Sequence, residues 1–185
     1  MGFILAALFV LLLLILVGFI AMYNGLVRAR QLTSNAWAQI DVQLKRRYDL
    51  IPNLVEAVKG IMAHEKETLE NVIKARNQAV QATGVSDKAK AEGQLTAALT
   101  GFFGLMEAYP QLRANENMAS LQEELQGTES KISFARQYYN DVVTSYNTKI
   151  EVFPSSIVAG MGNFKPKELF EIDDAKEREP VQIQF

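Results

Sequence analysis

The 185-residue sequence contains no cysteine and a single histidine. The first absence excludes a disulfide framework, thiol catalysis, a thiolate zinc site and cysteine acylation. The second leaves too few ligands and proton carriers for a multi-histidine metal site or most acid–base relays within one chain. No cofactor is expected on these grounds. Residues 1–27 lack charge of either sign, so all 19 basic and 21 acidic side chains fall after them. A net charge of −2 gives no footing for nucleic acid. The mean hydropathy of +0.00 therefore averages two materials, an apolar leader and a charged remainder of single-domain size.

Residues 3–22 are uninterrupted apolar chain, from Phe3 to Met22. Twenty helical residues reach about 30 Å, the thickness of a bilayer's hydrocarbon core. A cleaved signal peptide would want a positive start, a shorter core and a small-x-small site. Here no Lys or Arg precedes the core, and Phe19 occupies the −3 position of Phe19-Ile20-Ala21. The stretch reads as an uncleaved anchor over residues 1–22, with Tyr23 as an interfacial aromatic. Arg28, Arg30, Lys45, Arg46 and Arg47 all follow it. The positive-inside bias then predicts a single-pass inner-membrane protein, its N-terminus outside and its domain cytoplasmic. Gly18, Ala21 and Gly25 form a small-residue stripe on which two spans can pack closely.

The remainder reads as helical. Met118, Leu121, Leu125, Thr128, Ile132, Ala135, Tyr139, Val142, Tyr146, Ile150 and Phe153 recur at steps of 3 and 4. That spacing puts them on one stripe of a helix about 50 Å long, ended by Pro154. Three earlier segments, 24–50, 53–82 and 87–113, carry similar apolar faces. Thr83-Gly84 reads as a stop, Asp87 as a start and Tyr109-Pro110 as a break. At Pro52 a turn is preferred over a kink, because two antiparallel helices would hide both apolar faces. The predicted fold is all-α: a single N-terminal transmembrane helix, then an antiparallel four-helix up-and-down bundle over 23–153. Residues 154–185 are expected to hold a short helix at Ser155–Met161 and a mobile tail from Asp173.

Few motifs carry chemistry. Arg46, Arg47, Asp49, Asn53 and Glu56 crowd charge around Pro52. Asp49 and Asn53 are read as caps, and the two arginines as partners for acids across the bundle, Glu129 among them. The functional alternative is a surface for anionic headgroups or a protein partner. His64-Glu65 only superficially begins a zinc-peptidase motif, because position 68 is Thr. A solvated or capping histidine is the better reading. Tyr139-Asn140 and Tyr146-Asn147 repeat seven residues apart, and Asn140 and Asn147 are read as register-setting groups beside the core stripe.

The same residues carry a resemblance. Tyr23-Asn24-x-Leu26-Val27-x-x-Arg30, Ala36-Trp37-x-x-Ile40-Asp41-Val42-Gln43-Leu44-Lys45-Arg46-Arg47, Asp49-Leu50-Ile51-Pro52-Asn53-Leu54-Val55-Glu56 and Val58-Lys59-Gly60 resemble the LemA family. So do His64-Glu65, Ala75-Arg76, Glu107-x-Tyr109-Pro110-x-Leu112, Leu121-Gln122-x-Glu124-Leu125, Thr128-Glu129, Ala135-Arg136, the two Tyr-Asn pairs and Phe153-Pro154. The resemblance runs colinearly over about residues 20–171 and departs at Met62 and Met118, where aromatics are expected. It implies a bacterial membrane protein with one N-terminal span and a helical-bundle domain. The family includes a magnetosome-associated member, and it brings no catalytic residues to carry over.

The function expected is a non-enzymatic, membrane-anchored scaffold that self-associates and organises or shapes membrane. Its partners would be membrane lipid and further copies of itself. The alternative is a monomeric or small-oligomer adaptor that presents a protein partner, such as a membrane protease or signalling protein.

Overall fold

An apolar helix-forming stretch continues into an amphipathic one without a breaker between them, and the first helix follows both. In the computed structural model, which describes residues 1–171, α1 spans Gly2–Val58. It is followed by α2 (Lys66–Gln81), α3 (Val85–Met106), α4 (Pro110–Arg113), α5 (Glu116–Glu151) and α6 (Ser155–Met161). Among the described residues every regular element is a helix, and α1 is the one long and apolar enough to cross a membrane. The tail expected to be mobile from Asp173, and the alternating Val181–Phe185, lie outside the described residues.

Breaks fall where local chemistry puts them. Gly84, at φ +84°, takes a conformation that an L side chain rarely adopts, and it separates α2 from α3. Pro110 opens α4 at its first turn, where its missing N–H costs nothing. Asn115 Oδ1 accepts from the amides of Asn117 (3.0 Å) and Met118 (3.3 Å), capping α5. Ser155 Oγ closes its other end on the carbonyls of Lys149 (2.7 Å) and Val152 (3.0 Å). Phe153 therefore stands in a turn beyond the helix and is 80% exposed, unlike the rest of its stripe. The segment expected over 53–82 is divided, because α1 ends at Val58 and a turn through Lys59-Gly60 precedes α2.

Two compact units result. The first comprises Met1–Gln39 and Gln137–Leu169, and the second Ile40–Arg136 with Phe170 and Glu171. In the first, Leu26, Tyr146, Ile150, Val158, Ala159 and Phe164 form a buried cluster, with Phe19, Met22 and Val27 packed against it. In the second, the core is built from α1 (Ile40, Leu44, Ile51, Leu54, Val58), α2 (Leu69, Val72), α3 (Leu95, Leu99, Phe102, Met106) and α5 (Met118, Leu125, Ile132).

The turn expected at Pro52 is not there. Helix α1 runs through it for six more residues. A proline inside a helix removes one N–H and leaves the carbonyl four residues back without its donor. That carbonyl belongs to Tyr48, and Arg76 Nε of α2 donates to it at 3.2 Å. The arginine supplies from outside what the proline cannot, so the helix continues. Asp49 and Asn53 consequently lie mid-helix and cap nothing. Replacing Arg76 with Ala is expected to cost about 1–2 kcal/mol. In a Pro52→Ala background, where residue 52 donates its own N–H, the same change should cost less than half as much. Urea unfolding in detergent, followed by circular dichroism, measures both, and equal costs would refute the assignment.

Candidate functional site

The apolar stripes of the second unit contain charged members. On α1 the inward positions run Ile40, Leu44, Arg47, Ile51, Leu54, Val58, at steps of 4 and 3. On α3 they run Lys88, Glu92, Leu95, Leu99, Phe102, Met106, again at 4 and 3. A helix that keeps this period turns Arg47, Lys88 and Glu92 into the core together with their apolar neighbours. They meet there. Arg47 Nη1 lies 3.0 Å from Glu92 Oε2, and Nη2 donates to Thr96 Oγ1 at 3.0 Å. The same Nη1 lies 3.0 Å from Glu129 Oε2 on α5, the partner anticipated for it. Tyr48 donates its hydroxyl proton to Glu92 Oε1. Lys88 Nζ donates to the Ala79 carbonyl at 3.0 Å and stands 5.5 Å from the centre of the Tyr48 ring.

The centre of this cluster is sealed, while its outer member Glu129 keeps its side chain 47% exposed. Arg47 is 4% exposed and Glu92 1%. Burial pushes the Glu92 carboxyl above its ordinary range, while the Tyr48 hydrogen bond and the Arg47 charge oppose that shift. Burial, then the charge of Glu92, drives the Tyr48 hydroxyl far upward, so it remains a proton donor. Each ion costs several kcal/mol to desolvate, and the pairing roughly offsets that cost. What the arrangement does is hold α1, α2, α3 and α5 at fixed positions within the unit.

The other singled-out residues disperse. Arg46 pairs with Glu124 at 2.6 Å, with side chains 50% and 40% exposed. Asp49, Asn53 and Glu56 sit on the exposed face of α1, where Glu56 lies 3.4 Å from Lys59. His64 is exposed, and its neighbour Glu65 accepts from the Tyr109 hydroxyl at 3.0 Å. That bond raises the Tyr109 pKa. A Cβ built on Gly18 or Gly25 meets nothing within 4 Å. Among the described residues, no group of three or more His, Asp or Glu side chains gathers for a metal ion. The second unit also carries an open concavity of about 760 Å³, floored by Val55, Met62, Leu69 and Ile73 and rimmed by Lys59, Lys66 and Lys74.

In the first unit the Tyr-Asn pairs meet the chain that follows α6. Tyr146 donates to the Lys165 carbonyl (2.9 Å), and Tyr139 to that of Glu168 (2.9 Å). Asn147 donates to the Lys167 carbonyl and accepts from its amide, both at 2.9 Å. Seven helical residues advance about 10 Å, and three extended residues cover about the same distance. The seven-residue repeat on α5 therefore matches a three-residue interval on an extended strap running antiparallel to it. Asn147 fixes the position of this strap. Asn140 is half-buried on the same helix. The Trp37 ring of α1 lies tilted by 59° against Tyr139, with centroids 5.4 Å apart.

Glu92 and Lys88 were not singled out by motif. Their signal was positional, since extending the Leu95–Met106 stripe backwards by 3 and 4 lands on Glu92 and Lys88. Removing Glu92 leaves Arg47 buried without its main partner, so Glu92→Ala is expected to destabilise by about 3–5 kcal/mol. Arg46→Ala breaks an exposed pair and should cost at most about 1 kcal/mol. Denaturant midpoints of the two variants check this, and equal losses would contradict the burial argument.

Comparison with known proteins matches the LemA family model over residues 36–185, a stretch that holds the whole buried cluster. The chain is also similar to Protein LemA of Metamycoplasma hominis, with 27% identity over 140 residues. That overlap covers 74% of this chain and 63% of the relative, so the chain spans less than two thirds of the relative's length.

Proposed function

The chain belongs to the LemA family, and from that premise we propose that this membrane-associated protein is a non-enzymatic, membrane-anchored scaffold that self-associates and organises membrane. The observation that carries the reading is how its residues are placed. The groups with chemical potential, Arg47, Glu92 and Lys88, point inward and are sealed. The largest apolar surface offered outward is the exposed side chains of residues 3–17, and the lysine-rimmed concavity adds the half-buried Val55 and Ile73. Exposed apolar surface of this kind is what lipid and protein partners cover. An antiparallel, up-and-down arrangement of α1, α2, α3 and α5 within the second unit fits the same reading, with Arg47 and Tyr48 reaching all three other helices. The bias of Arg28 and Arg30 favours a cytoplasmic domain at the inner membrane.

The exposed row of Asp49, Asn53 and Glu56 on α1 favours a second reading, an adaptor that presents a protein partner. Mass measurement of the full chain in detergent separates the two. The scaffold reading expects a multimer at micromolar concentration. It also expects Gly18→Leu or Ile73→Glu to shift the particle towards monomer with helicity unchanged. The added side chain at Gly18 meets nothing within its own chain, so a loss there reports a contact between copies. A wild-type monomer would favour the adaptor.

A further inference from the structure

The corner between α5 and α6 exposes apolar side chains that the core does not use. Phe153 is 80% exposed, Ile157 56% and Met161 73%, with Val152 beside them at 47%. Ile157 and Met161 are one helical turn apart and share a face of α6. The opposite face is committed, because Val158 and Ala159 are each 2% exposed and lie in the buried cluster with Leu26, Ile150 and Phe164.

That cluster fixes where the corner sits along α1. Phe19 and Met22 pack against it, and both belong to the apolar stretch 3–22. From Phe19 to Leu26 the helix advances about 10 Å, so the cluster lies at the end of the stretch where hydrocarbon gives way to headgroups. Tyr23 meets the edge of Phe164 at 5.6 Å, and the Arg30 guanidinium stands 5.1 Å from the centre of the same ring. A Cβ at Gly162 would approach that ring to 2.5 Å, so the chain reverses tightly just after α6. Aromatic rings with basic groups beside them are the composition of a membrane interface. Arg28, Lys149 and Lys165 add positive charge in the same unit.

We propose that the α5–α6 corner is a second membrane-contacting element, with Phe153, Ile157 and Met161 seated in the lipid interface beside the span. The occupant is bilayer, because the buried face of α6 packs through Val158 and Ala159 into the cluster that Phe19 and Met22 join, which sets the exposed corner beside the end of the apolar stretch. The corner would fix the tilt and rotation of α1 at the surface, which a single unsupported helix leaves free. This inference rests on the reading of residues 3–22 as a span.

The chain has no cysteine, so single-cysteine variants carry one label each. An environment-sensitive fluorophore would be placed at Ile157→Cys, at Met161→Cys, at Leu12→Cys within the span, and at Asn35→Cys. Asn35 is exposed on α1 about 20 Å beyond Met22. The labelled full-length chains are reconstituted in nanodiscs of phosphatidylglycerol and phosphatidylcholine, with and without nitroxide-bearing lipid. Labels at 157, 161 and 12 are expected to emit at shorter wavelength and to be quenched by the nitroxide lipid, while the label at 35 is not. Emission at 157 and 161 that matches Asn35 would overturn the proposal. So would a blue shift without lipid quenching, which would mark a protein partner, a second copy included, on that face. Failure of the Leu12 label to quench would overturn the span reading and this proposal together. Failure at 157 and 161 alone would overturn only this one.

Discussion

The Arg47–Glu92 ion pair is the constraint on which the second unit depends. Both side chains stand on mainly apolar stripes and are almost wholly buried, and Glu92 is the one buried carboxylate that Arg47 meets, its other partner Glu129 being half-exposed. Sliding α3 along α1 by one turn would set Arg47 against Leu95 and leave the buried Glu92 without its ion-pair partner. Apolar stripes alone tolerate such a slip, because leucine against leucine looks much the same one turn away. The pair therefore contributes definition of register more than net stability. Tyr48, Glu129 and Lys88 extend that definition to α2 and α5.

The same accounting of buried polar groups explains the two least regular places in the chain. Pro52 frees the Tyr48 carbonyl, and Arg76 satisfies it. The extended chain after α6 has no neighbouring strand among the described residues, and Tyr139, Tyr146 and Asn147 bond its peptide groups from α5. In each case a side chain from one helix supplies what regular secondary structure would have supplied elsewhere.

Much of this was legible in the residues. The apolar leader, the stop at Gly84, the break at Tyr109-Pro110 and the long α5 stripe follow from composition and period, and Glu129 is one candidate acid for the two arginines. Pro52 misled because its consequence depends on whether a donor arrives from another helix, and Arg76 is 24 positions away. Glu92 and Lys88 read as ordinary solvated charges, since helices are full of them. Only their phase with Leu95 and Leu99 marks them as inward. The strap was invisible because the carbonyls of Lys165 and Glu168 carry no residue-type signature. The acceptors are backbone, and only the donors Tyr139, Tyr146 and Asn147 could be seen.

The central claim is that the buried charges hold the helices of the second unit in place. A double-mutant cycle on Arg47→Met and Glu92→Leu tests it most directly, with denaturant unfolding and detergent-solubilised mass read for all four proteins. Each single variant should be strongly destabilised, and the double variant should recover most of the loss and keep the wild-type assembly state. A double variant no more stable than the worse single, or one that folds but no longer assembles, would contradict the account.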